Sequence, residues 1–254
     1  MAGCTFLRRS DRRNMKIVIE LAGISVGMEL HYTDALLNFA PYRTDRKAVI
    51  STAVVSEEMD MARPRYESGA SEAYIEYMEL SLKISDALLP FNRVIFHGTA
   101  FLWREKAWIF TAVSGTGKTT QYLRWKAIFG EEVQILNGDK PILAVDGENI
   151  IVYPSPWNGM EWNGKEGMGQ QITAPLGEII LLRQSQENRI RKISAKESAG
   201  ILFPQFLFSR NTTDDVYKVG QLEESLLNQI PVWLLENRGD TESAVLCHDT
   251  LMEV

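Results

Sequence analysis

The chain has 254 residues, 45% of them apolar and 24% charged, with a net charge of -6 at pH 7. That is the composition of an ordinary globular protein, long enough to bury a core without disulfides, and its acidic balance argues against a nucleic-acid coat while leaving room for a local basic pocket. No apolar run approaches the roughly 20 residues that span a bilayer, and the two cysteines, Cys4 and Cys247, form no CxxC or Cys/His cluster and fit a reducing, cytoplasmic compartment.

The N-terminal stretch "MAGCTFLRRSDRRNMKIVIELAGISVGMEL" sets paired arginines before apolar residues, in the manner of a secretory signal. Glu20 and Glu29 break that stretch, so it reads as a basic leader, or as a start at Met15, running into the first strand. Residues 16–31 and 46–55 are rich in Val and Ile and predict strands. Residues 70–88 set Ile75, Met78, Leu82 and Leu89 at helical spacing, and Pro90 stops that amphipathic helix. Apolar runs follow at 93–96, 99–103 and 107–113. Their separation by His97-Gly98 and the charged turn 104–106 predicts a β-meander. A helix is expected over 117–129 and strands over 133–136, 141–145 and 149–153. Residues 154–174, with many Gly, Pro and Trp, read as an exposed excursion. A strand at 178–183, helices at 195–202 and 213–229, a strand at 231–236 and a last helix capped by Asp240 or Thr241 complete the chain. A boundary falls near residue 91, between a β-rich portion with one helix (1–90) and a portion of alternating strand and helix (91–254).

The chemistry concentrates in Ala112-Val113-Ser114-Gly115-Thr116-Gly117-Lys118-Thr119, followed by Thr120. This is the P-loop pattern in its required context, a strand before and a helix after. Gly115 and Gly117 let the backbone turn its N–H groups toward an anion, and the helix start adds its positive dipole end. Lys118 is placed for the β- and γ-phosphates and Thr119 for Mg²⁺. Residues 114–120 therefore form the expected nucleotide-binding set, with ATP and Mg²⁺ as cofactors.

His97 stands 21 residues before Lys118, and Asp139 ends an apolar run 21 residues after it. An acid at a strand end beside such a loop holds Mg²⁺ or serves as general base for an acceptor hydroxyl. The segment 153–167 is long enough to cover a pocket. Trp157 and Trp162 read equally as a substrate groove or as buried anchors. Arg183, Arg189, Arg191, Lys192 and Lys196 read first as a solvated face, with an acceptor-binding patch as the lesser alternative.

The order of strand–His97-Gly98, hairpin, P-loop, strand ending in Asp139 and Pro-Trp loop resembles the C-terminal domain of HPr serine kinase/phosphorylase. More closely, it resembles the stand-alone kinases related to that enzyme, which share the phosphoenolpyruvate carboxykinase core. The resemblance covers about residues 91–254. It implies an α/β fold with a P-loop core of mixed sheet and helices, behind a β-rich N-terminal portion. It also implies that His97 packs beside the phosphate site and that Lys118 and Thr119 bind phosphate and metal. Asp139 matches one of two adjacent family acids. The departure is Gly138-Asp139-Lys140, where the family has Asp-Asp followed by Arg. Glu161 or Glu166 is then expected to supply a further metal-binding acid, Glu161 first. The phosphorylase signature around that acid is absent. The implied activity is an ATP- and Mg²⁺-dependent kinase with Asp139, His97 and Lys118 in catalysis. Its acceptor would be a serine of a protein or peptide, including ribosomally made precursor peptides. A small-molecule kinase and a non-catalytic nucleotide sensor are the alternatives. No nucleic-acid or membrane partner is expected. Relatives assemble, so a homo-oligomer is allowed.

Overall fold

The structure, a computed structural model, describes residues 12–159, 169 and 171–252. The leader, Glu161, Glu166 and Trp162 lie outside the described residues.

The chain opens with β1 (Arg12–Leu21) and β2 (Ile24–Tyr32), an antiparallel hairpin turned at Ala22-Gly23, both of which take positive φ. The turn splits the single 16–31 run into two strands. β1 already begins at Arg12, ahead of Met15. A short helix α1 (Leu36–Phe39) follows, then β3 (Ile50–Ala53), which pairs in parallel with β2. Of the predicted strand 46–55 only that four-residue core pairs. Helix α2 (Ser56–Ala62) then packs on α3 (Glu72–Leu88), which covers β2 and β3. Ser71 caps α3 by accepting from the Tyr74 amide at 3.1 Å. The buried stripe of α3 runs through Ile75, Leu80, Ile84 and Leu88, and it carries Glu76 and Glu79 with it. These carboxylates are satisfied rather than exposed. Glu76 accepts from the amides of His31 (2.7 Å) and Tyr32 (3.1 Å) and pairs with the His31 ring at 2.7 Å, while Glu79 accepts from Arg65 (2.8 Å) and Tyr66 (2.6 Å). His31 thereby acquires a partner that its sequence context did not suggest.

The second sheet has ten strands: β4 (Arg93–Phe96), β5 (Thr99–Trp103), β6 (Lys106–Thr111), β7 (Gln134–Asn137), β8 (Ile142–Asp146), β9 (Asn149–Tyr153), β10 (Ala174–Gln184), β11 (Arg189–Ile193), β12 (Phe206–Leu207) and β13 (Val232–Asn237). Its order is β12-β4-β8-β9-β10-β6-β5-β7, with β13 also on β10 and β11 beyond β13. The predicted meander is corrected here. Only β5 and β6 form a hairpin; β4 pairs with β8 and β12 instead. The cause is the His97-Gly98 break, where the His97 amide donates to Gln205 O (2.8 Å) and the Gly98 amide to Asp139 O (2.9 Å), turning the chain out of one half of the sheet into the other. β10 is longer than its apolar run because its first residues pair with β9 and its later ones lie between β6 and β13, parallel to both.

Helices α4 (Lys118–Phe129) and α7 (Thr241–Met252) pack on one face of this sheet, and α5 (Ala195–Leu202) and α6 (Thr213–Gln229) on the other. Phe101, Trp103, Trp108, Phe110, Trp125 and the fully buried Cys247 fill the α4/α7 side. His248 stacks on Phe129 there, with ring centroids 4.2 Å apart. The N-terminal core is continuous with the large sheet through Ile95, Ile142 and Trp157. Among the described residues no helix is long and apolar enough to cross a membrane. The fold is thus a mixed sheet flanked by helices, with a second small sheet from the N-terminal portion.

Candidate functional site

β6 ends at Thr111 and α4 begins at Lys118; the six residues between form the loop. Gly115 (φ 80°) and Gly117 (φ 113°) adopt the left-handed backbone that L side chains resist, so the turn requires glycine at both positions. The Thr116 amide and hydroxyl donate to Val113 O at 3.3 and 2.8 Å. Ser114 and Gly115 are exposed at the crest. The Lys118 side chain folds back, its ammonium 3.2 Å from Ala112 O, and the residue is only 8% exposed. Thr119 is half-buried on the first turn of α4, and Thr120 beside it is exposed.

Two strand ends bring the other residues. His97 follows β4; Asp139 and Lys140 follow β7. Asp139 is oriented from below by Asn137, whose side-chain oxygen accepts from the amides of Asp139 (3.0 Å) and Lys140 (2.7 Å). That is an Asx turn. Asn137 is itself tied to Ser155 O (3.0 Å), and the Gly138 amide donates to the Asn158 side chain. The His97 Nε2 lies 3.6 Å from Asp139 Oδ1, and its Nδ1 is 3.0 Å from Gln205 Oε1. Thr111 at the end of β6 donates to His97 O at 2.8 Å, which binds the histidine to the strand that carries the loop.

The electrostatics follow from this crowding. Burial holds the His97 imidazole below its ordinary pKa, and the Lys118 ammonium adds to the effect against the opposing pull of Asp139. Burial works against the charge of Asp139 too. Lys140, by charge and by hydrogen bond, outweighs it with help from His97 and Lys118, so the carboxyl sits below its usual range.

His97, Asp139 and Lys118 therefore converge at the loop. Three further residues belong to the site. Asn137 was legible as an Asx-turn residue two before Asp139. Gln205 lies 108 residues from His97 and carried no signal. Lys140, read as a departure from the family, forms an ion pair with Asp139. The excursion reading of 154–174 needs correction at its start. Residues 154–158 are buried, because Trp157 packs at 5.9 Å on Phe39 and at 5.8 Å on Tyr77 and donates its indole N–H to Tyr77 O at 2.8 Å. Trp157 is an anchor, not a groove wall. Three arginines of the basic run are ion-paired, Arg183 of β10 with Glu236 of β13, and Arg189 and Arg191 of the edge strand β11 with Glu187 and Glu197.

The loop sets two left-handed glycines directly before the start of α4. The donors for a divalent cation are few among the described residues. Among the described residues no group of three or more His, Cys, Asp and Glu surrounds a common point. Asp139, the carboxylate paired with His97 among the described residues, carries the Lys140 ammonium.

No protein-family model and no curated protein matches the chain. Among solved structures it is similar to the HPr(Ser) kinase/phosphatase from Coxiella burnetii, with a TM-score of 0.37, 11% identity, and 63% of this chain and 97% of that one covered. A likeness this distant assigns neither an activity nor a site residue.

Proposed function

We propose that the protein is an ATP-dependent, cytoplasmic phosphotransferase that passes the γ-phosphoryl group to a hydroxyl, a serine of a protein or peptide. The observation that carries this reading is the strand–turn–helix at 106–129, with Gly115 and Gly117 in left-handed turns and Lys118 buried at the helix start beside the His97–Asp139 pair. In this reading the loop amides and the α4 terminus hold the phosphates. Lys118 leaves Ala112 O for the phosphate oxygens. Asp139, a carboxylate held ionised by its neighbours, accepts the hydrogen bond of the acceptor hydroxyl and orients it. His97, its pKa held down by burial and by Lys118, packs beside them. Phosphoryl transfer depends chiefly on positioning and electrostatics, so this short set of groups suffices.

Lys118→Ala is expected to abolish productive nucleotide binding. The check is calorimetric titration with ATP and ADP release with serine-containing peptides. Unchanged affinity and turnover in that variant would sink the assignment. A second reading, a nucleotide sensor without transfer, is favoured by the Lys140–Asp139 ion pair, which occupies the acid. It takes the lead if the parent protein binds ATP tightly and transfers phosphate to no acceptor.

A further inference from the structure

Lys140 is held with unusual care for a lysine. Its amide donates to Asn137 Oδ1 (2.7 Å) and Trp157 O (3.1 Å), and its carbonyl accepts from Ser155 Oγ (2.5 Å). Its side chain is 14% exposed and ends on Asp139 Oδ2, while Asp139 Oδ1 faces His97. His97 feels the ammonium charges of both Lys118 and Lys140. The site thus sets the Lys140 ammonium on the carboxylate, with the Lys118 charge near enough to act on both His97 and Asp139, beside the glycine turn of the loop.

In phosphoryl-transfer sites a divalent cation commonly bridges a strand-end carboxylate and the phosphate oxygens. Here a fixed cation already rests on that carboxylate. A metal ion on Asp139 would have to displace it or share one carboxylate with it, and like charges so close are costly in a half-buried site. An ammonium carries three donors on a four-carbon stem, and hydrogen bonds from such a charged group to phosphate are among the strong ones.

We propose that Lys140 is a second phosphate-binding lysine, standing between Asp139 and the phosphates where a divalent cation would stand, so that the site takes a nucleoside triphosphate without metal. This rests on the reading of the loop as a nucleotide site. Asp139 then serves two partners, the acceptor hydroxyl and the Lys140 ammonium. No bond is made or broken in the binding step.

The test is calorimetric titration of ATP into the full chain, in excess EDTA and in excess MgCl₂. The proteins are the wild type, Lys140→Ala and Lys140→Arg, with a thermal melt of each to establish folding. The wild type is expected to bind in EDTA within about threefold of its affinity in Mg²⁺. Lys140→Ala should lose about tenfold or more in EDTA, the scale of one charge-assisted hydrogen bond. Mg²⁺ should restore most of that loss, because Asp139 is then open to the ion. Lys140→Arg, which keeps the charge, should retain binding in EDTA, and it decides the matter if the alanine variant does not fold. Strict Mg²⁺ dependence of the wild type overturns the proposal. So does wild-type affinity of Lys140→Ala in EDTA, or loss of EDTA binding in a folded Lys140→Arg. A wild type that binds ATP under neither condition overturns the nucleotide reading, and this proposal with it.

Discussion

Asp139 is the residue on which the proposed chemistry turns. Its carboxylate touches His97 on one oxygen and Lys140 on the other, and its amide is fixed by Asn137. Asp139→Asn keeps the shape and the Asx turn but removes the charge. Phosphoryl transfer is expected to fall by roughly 10²-fold, the order of a positioned acid–base group, as measured by initial rates of ADP release with acceptor present. Nucleotide affinity should be kept or raised, because Lys118 and the loop amides remain and Lys140 loses its counter-charge. Transfer at the parent rate would remove Asp139 from the mechanism. At this scale the glycine turn before α4 and the strand ends at His97 and Asp139 were legible, because turn and strand signals are local. Gln205, which reaches His97 from 108 residues away, was not legible, nor was the burial of Glu76 and Glu79, since a charged residue on a helix reads as solvated until its partners are known.

The elements were legible where periodicity is local. Helices α3 to α7 and strands β4 to β9 fall within a residue or two of the runs that predict them. Pairing was not legible, because it joins segments far apart. The run "RIRKI" at 189–193 was passed over because its arginines and lysine dominate its composition, although exposed charged residues suit an edge strand, and only Ile193 is buried. Gly98 decides the most consequential pairing. A Cβ there would sit 2.6 Å from Ile109 Cγ2 and 3.0 Å from Phe110 O, so the chain can pass β6 this closely only without a side chain. Gly98→Ala is expected to cost about 1–3 kcal/mol, the range of an overpacked core position, seen as a lower denaturant midpoint. Because His97 is the adjacent residue, nucleotide affinity should fall with it. A variant with the parent midpoint would show that the turn is looser than this close approach requires.

For the whole molecule, Trp157 joins the two sheets. Its ring lies in the N-terminal core against Phe39 and Tyr77, while its carbonyl accepts from the Lys140 amide at the site. Trp157→Ala should destabilise the protein by about 3–5 kcal/mol, as for other buried large-to-small changes, and weaken ATP binding as well. Denaturant titration with and without ATP measures both. A loss of about 3–5 kcal/mol in stability with unchanged affinity of the folded protein would separate the N-terminal portion from the site. The pairing of β10 with β6 and β13 has a further consequence, in the time order of assembly. β6 carries the loop, yet its partner β10 begins more than sixty residues later, and β13, which closes β10 from the other side, is among the last elements of the chain. A chain emerging from the ribosome therefore holds the complete loop sequence long before it holds the strands that brace it. Such distant pairings are slow to form and leave apolar strands uncovered meanwhile. The loop at 112–117 is therefore braced late, and under the proposed function gain of ATP affinity during refolding is expected to mark the end of folding rather than its start.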